Sequence, residues 1–117
     1  MEEVLLEDIK INVIGNIHLL NLFTPLIKQG QAKKVIVLST GHADLDMISQ
    51  RNLDIAPLYT ISKGAQNIAV SKFSALYAKD GILYLSLSPG AVDTGHLDLN
   101  HCKWRHIFLF SLIPFSP

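Results

Sequence analysis

The sequence predicts an α/β domain built on a parallel sheet, and three observations carry that expectation. Helical and strand-like patterns alternate as helix, strand, helix, strand, the rhythm of a parallel α/β sheet. The strand-like run Val35 to Leu38 is continuously apolar, as for a parallel strand covered on both faces, and "ILYLSLSPG" reads as a second buried strand. Turn residues separate the runs: Gly30, Asp80–Gly81 and Pro89–Gly90.

The first helix is expected from Val4 to Lys28. Glu2, Glu3, Glu7 and Asp8 sit near its start, where the helix dipole favours negative charge. Val13, Ile14, Ile17, Leu20, Phe23 and Ile27 recur at helical spacing, and Leu19, Leu22 and Leu26 widen the stripe. Apolar residues reach most of the way round, so this helix is expected to be covered on two sides. Gly30 is placed to cap its end. "KKVIVLST" is the first strand, and the polar stretch "GHADLDMISQRNLDIAP" is a loop with room for one helical turn. The second helix runs from about Pro57 to Lys79. Pro57 is tolerated at its start because its missing N–H has no partner there in any case. From Gly95 onward no period is evident, and no internal repeat or low-complexity segment occurs.

With 117 residues the chain suits one domain. The formal net charge is zero, which argues against a nucleic-acid partner. The apolar share, 49%, is high for a small domain. It fits doubly covered strands, or a surface that meets a partner. Cys102 is the only cysteine, so no internal disulfide forms. "MEEVLLEDIK" is not a basic signal peptide, and "IFLFSLIPF" is too short to span a bilayer. The expected compartment is the cytoplasm, with no membrane association.

"APLYTISKGAQN" sets Tyr59 four residues before Lys63, on one face of the second helix. A tyrosine hydroxyl titrates near pH 10, so only about one in a thousand is ionised at neutral pH. An adjacent ammonium favours the phenolate. Lowering the pKa by about three units requires roughly 4 kcal/mol, more than one surface lysine supplies. The pair alone is a weak signal, because Tyr and Lys four apart occur in many helices. Its surroundings strengthen it. Upstream, a buried strand ends in two hydroxyls, "VLSTG", and strand C-termini are where α/β sheets place their sites. Downstream, another strand ends in "SPGAVDTG", and the first helix holds a polar residue within "NVIGN".

Taken together, "NVIG", "VIVLST", "YTISK" and "SPGAVDT", in that order, resemble the short-chain dehydrogenase/reductase family over residues 4 to 95. The resemblance implies a partial Rossmann-like, doubly wound parallel sheet. It implies NAD or NADP as cofactor and a small carbonyl or alcohol as substrate. Tyr59 resembles the proton donor and acceptor for the substrate oxygen. Lys63 resembles the residue that lowers the tyrosine pKa and binds the nicotinamide ribose. Asn12 resembles the helix asparagine whose backbone helps hold a proton-relay water. Thr40 occupies the column where the family usually has the substrate-polarising serine, and Ser39 is the second choice. Thr40 can donate the same bond, with a more restricted rotamer. Pro89, Gly90, Val92 and Thr94 resemble the segment that meets the nicotinamide end of the cofactor.

The family's N-terminal glycine-rich loop has no counterpart here. The seven glycines, at positions 15, 30, 41, 64, 81, 90 and 95, make no G-x-x-x-G-x-G run after a strand. The expectation is therefore a C-terminal catalytic half, with the N-terminal β-α-β cofactor half missing and weak or no activity alone. The alternative is a non-catalytic remnant that associates, as a homo-oligomer or with a full-length relative, through its two helices. The domain is expected over residues 1 to 95, and residues 96 to 117 form a divergent tail without a recognisable further strand. His101, Cys102 and His106 match no common zinc spacing, and no metal site is expected.

Overall fold

A computed structural model describes residues 1 to 90 and the backbone of the strand 108 to 110. The chain opens with one long helical rod in three parts. These are α1 (Glu2–Ile9), a π-helical stretch (Lys10–Gly15) and α2 (Asn16–Gln29). Pro25 lies inside α2 and cannot donate a backbone bond, yet the helix continues to Gln29. Gly30 caps it in an extended conformation, its N–H shared between Leu26 and Ile27 carbonyls.

Strand β1 (Lys34–Leu38) follows. The connection after it holds more structure than the single helical turn its polar sequence suggested. A 3₁₀ turn (Gly41–Ala43) leads into the seven-residue helix α3 (Leu45–Arg51). Asp44 caps α3 by accepting from Met47 N at 2.7 Å, and Asn52 ends it in the left-handed conformation. Helix α4 (Pro57–Leu76) begins with Pro57 in its first turn. It stops three residues before Lys79, and a 3₁₀ turn (Ala78–Asp80) and the left-handed Gly81 reverse the chain. Strand β2 (Leu83–Ser88) then pairs parallel with β1, from Lys34 opposite Leu83 to Leu38 opposite Leu87.

Two expectations are corrected. The sheet is mixed, because β3 (Phe108–Phe110) from the tail pairs antiparallel with β2, and the order is β1-β2-β3. The weak periodicity of the tail concealed that strand. Nor is β1 covered on both faces. Val37 is buried, but Ile36 and Leu38 are 57% and 60% exposed. Helices pack on one face only among the described residues, where Leu20 of α2, Val70 of α4, Val37, Ile82 and Tyr84 form the core. The same one-sidedness leaves Leu19, Leu22, Phe23 and Leu26 of α2 exposed, so the second side of its apolar stripe is open. Among the described residues, no helix is long and apolar enough to cross a membrane.

Candidate active site

The C-terminal end of β1 is the meeting point. Ser39 and Thr40 leave the strand there, and side chains of α4 bond to it. Lys63, one helical turn after Tyr59, reaches back and donates to the carbonyl of Leu38, the last residue of β1, at 3.1 Å. Its ammonium stands 5.8 Å from the centre of the Tyr59 ring. The helix face and the strand end are therefore tied together.

The two hydroxyls at the strand end divide their tasks. Ser39 is buried and donates to Asn67 Oδ1 of α4 at 2.6 Å, a structural bond. Thr40 is half-buried and accepts from His42 N at 3.3 Å, which leaves its hydroxyl hydrogen free to donate elsewhere. Ser88, at the end of β2, accepts from Gly41 N at 3.0 Å and holds the turn after Thr40 against the neighbouring strand.

Asn12 sits within the π-helical stretch. Such a stretch widens the backbone turn and disturbs the regular α-helical ladder. Its side chain donates to Ser62 Oγ at 2.9 Å, and Ser62 donates in turn to the Tyr59 carbonyl at 2.8 Å. The Asn12 carbonyl accepts from Asn16 Nδ2 at 2.8 Å. Asn12 is thus joined to the tyrosine's own helical turn through its side chain.

Burial shapes the two titrating groups. Tyr59, 41% exposed, has its hydroxyl pKa pushed up, first by burial and then by the carboxylate of Asp8. Lys63 is pushed down by burial. The family resemblance implied that Lys63 lowers the Tyr59 pKa, whereas the net shift here is upward, from burial and Asp8. In the chain as it stands the ammonium spends two donors on Leu38 O and Gln66 Oε1, and desolvation governs the tyrosine.

At the end of β2, Gly90 has φ of +72°, a conformation that favours glycine, and it follows Pro89 out of the strand. Val92 and Thr94 lie outside the described residues. Sequence reasoning did not find Ser62, Gln66 or Asn67. Their facing is set by packing, with Gln66 and Asn67 turned to the end of β1 and Ser62 to Asn12, and the residue types alone do not announce it.

Comparison with known proteins places the chain. It is 55% identical over 98 residues to the short-chain dehydrogenase/reductase iacC of Pestalotiopsis fici, covering 84% of this chain and 36% of that protein. It is 57% identical over 96 residues to the short chain dehydrogenase virK of Hypocrea virens, covering 82% of this chain and 35% of that protein. It is 45% identical over 93 residues to the short-chain dehydrogenase/reductase AacuF of Aspergillus aculeatus, 79% of this chain and 35% of that protein. The chain belongs to the short-chain dehydrogenase/reductase family. It spans about a third of the length of these curated relatives. No family model matches it, and no solved structure matches it.

Proposed function

We propose that this chain carries the proton-transfer and nicotinamide-ribose end of an NAD(P)-dependent oxidoreductase that interconverts carbonyls and alcohols. The observation that supports this most is the tether of Lys63 to the last carbonyl of β1, beside Thr40 and one turn from Tyr59. It sets the ammonium, with the Tyr59 ring beside it, at the end of the strand from which Thr40 follows two residues on. A nicotinamide dinucleotide, when bound, supplies the hydride to the carbonyl carbon. Tyr59 gives its phenolic proton to the carbonyl oxygen, and Thr40 donates a hydrogen bond that holds that oxygen in place. Lys63 keeps one N–H for a ribose hydroxyl, and Gly90 admits a close backbone approach at the nicotinamide end. The residues present fit that end of the cofactor. For the pyrophosphate this sequence offers no glycine-rich turn at a helix start, so the 117-residue chain alone is a weak or inactive enzyme.

A second reading is supported by the exposed apolar side chains of α2 and α4, Leu22 and Ile68 among them. Here the chain associates through these helices, with itself or with a longer relative, and catalyses nothing.

The test is a chimera in which the preceding segment of the Pestalotiopsis relative is joined to this chain. Reduction of a panel of small ketones and aldehydes with NADH and NADPH is measured. Tyr59→Phe is expected to lower turnover by at least about a hundredfold with cofactor affinity nearly intact, the scale typical of a lost general acid. Lys63→Ala is expected to damage both. A folded chimera whose turnover ignores Tyr59→Phe removes the tyrosine from the chemistry.

A further inference from the structure

Gln66 is fully buried on the strand-facing side of α4. A buried amide is costly unless both of its ends are paired. Here both are. Its Nε2 donates to Leu38 O at 2.8 Å, and its Oε1 accepts from Lys63 Nζ at 3.1 Å. Because Lys63 also donates to Leu38 O at 3.1 Å, ammonium, amide and carbonyl close a ring of three hydrogen bonds.

The ring sits at one end of a groove of about 540 Å³ between α2 and the outer edge of β1. The rest of the groove is largely apolar, with Leu19, Phe23 and Ile36 on its walls. Among the described residues, Lys34 of β1 is the other cation lining it and no carboxylate does, so none of them sets an anion in the groove against Lys63. From α4 itself only the Tyr59 ring stands over the ammonium, with Asp8 of α1 acting on that tyrosine. A lysine's four-carbon stem is flexible, and its ammonium offers three donors. Two are used inside the ring.

Resting on the role given to Lys63 above, we propose that Gln66 is a positioning residue that fixes the Lys63 ammonium at the end of β1, with its third N–H left for a ligand hydroxyl. An apolar residue could also occupy a buried position on this helix. What it could not do is accept from the ammonium while anchoring itself to the same carbonyl.

The experiment follows Lys63 directly in the full chain, with lysine labelled by ¹³C at Cε and the Lys63 signal assigned through Lys63→Arg. In the wild type, a cross-peak between the Gln66 side-chain amide and the Lys63 Cε protons is expected, and its absence overturns the proposal. Gln66→Met keeps the shape and removes the acceptor, so the Lys63 titration midpoint is expected to fall. Gln66→Glu places a carboxylate against the ammonium, so the midpoint is expected to rise by about 1–3 units. Circular dichroism checks that each variant keeps its helices. Midpoints that ignore both substitutions in folded protein overturn the proposal. If the methionine variant does not fold, the glutamate variant, nearly identical in size, decides. These measurements involve no cofactor. A chimera without turnover would sink the oxidoreductase role and leave them standing, whereas unmoved midpoints in a working enzyme would sink Gln66 alone.

Discussion

The hydroxyls of Thr24 and Tyr84 lie 2.6 Å apart in the core, sixty residues distant in sequence, and both are shielded from water. Thr24 donates to the Leu20 carbonyl of its own helix, which leaves Tyr84 to donate to Thr24. This bond pins α2 to the start of β2. Thr24→Val is expected to strand the tyrosine hydroxyl in the core and cost about 1–3 kcal/mol. Removing both hydroxyls, as Thr24→Val with Tyr84→Phe, is expected to recover most of that loss, because two apolar partners leave nothing unsatisfied. Urea unfolding of the two single variants and the double closes the cycle. Strictly additive losses would show that the two hydroxyls do not depend on each other.

That core bond was not legible in the sequence, although the strand containing Tyr84 was. Periodicity and turn residues place helices and strands, and they located α2, β1, α4 and β2 here. They cannot say which face of a strand is covered when cover depends on what else packs there. Val35 to Leu38 are uniformly apolar, yet Val37 is buried and Leu38 is not. The helix α3 was hidden by its polar composition, although Asp44 as cap and Arg51 in the last turn were both visible signals. At the site, Tyr59, Lys63 and the hydroxyl pair could be read from motif order. Gln66 and Ser62 could not, because a glutamine and a serine on a helix look the same in sequence whether they face solvent or a carbonyl.

The direction of the Tyr59 shift gives a pH prediction. Its folded pKa lies above the ordinary value near 10, because burial and Asp8 both disfavour the phenolate. The neutral phenol is therefore favoured by folding. The stability linked to it is complete below about pH 10 and is lost as pH rises through the folded pKa. Lys63 runs the other way, since burial lowers its pKa. Its penalty holds at neutral pH and is relieved as pH rises from its folded pKa toward the ordinary value of about 10.4. Phenolate absorbance of the wild type minus that of Tyr59→Phe is expected to show a midpoint above 10. Asp8→Asn should bring that midpoint part of the way down, because burial, the larger cause, remains. A midpoint at or below 10 in the unliganded chain would contradict the site geometry.

On the proposed reading, the chain alone is expected to bind a nicotinamide dinucleotide weakly. In the proposed role Lys63 and Gly90 meet the nicotinamide-ribose end, but the pyrophosphate gains no helix N-terminus with a glycine turn from this sequence. Calorimetric titration with NADH and with NADPH is expected to give dissociation constants weaker than about 1 mM, which corresponds to less than about 4 kcal/mol of binding. Tight, saturable binding of either would mean that another part of the chain cradles the phosphates.

The exposed faces of α2 and α4 set the behaviour of the isolated chain. On α2, Leu19, Leu22, Phe23 and Leu26 are open to water, and on α4 so are Ile61, Ile68 and Leu76. The strand β3 lengthens the sheet beside β2 and leaves these helix faces as they are. Burying apolar surface contributes about 25 cal/mol per Å², so covering either face is worth several kcal/mol. A small domain's entire stability is only about 5–15 kcal/mol. The chain is therefore expected to self-associate through these helices, or to remain poorly folded when too dilute to do so. Sedimentation velocity across a concentration series reads the first outcome, and circular dichroism with thermal melting reads the second. Leu22→Lys combined with Ile68→Lys is expected to shift the sedimenting species toward the monomer and to weaken cooperativity of unfolding. A monomer at every concentration that still melts cooperatively would show that these faces carry no such cost, and the association reading would fall with it.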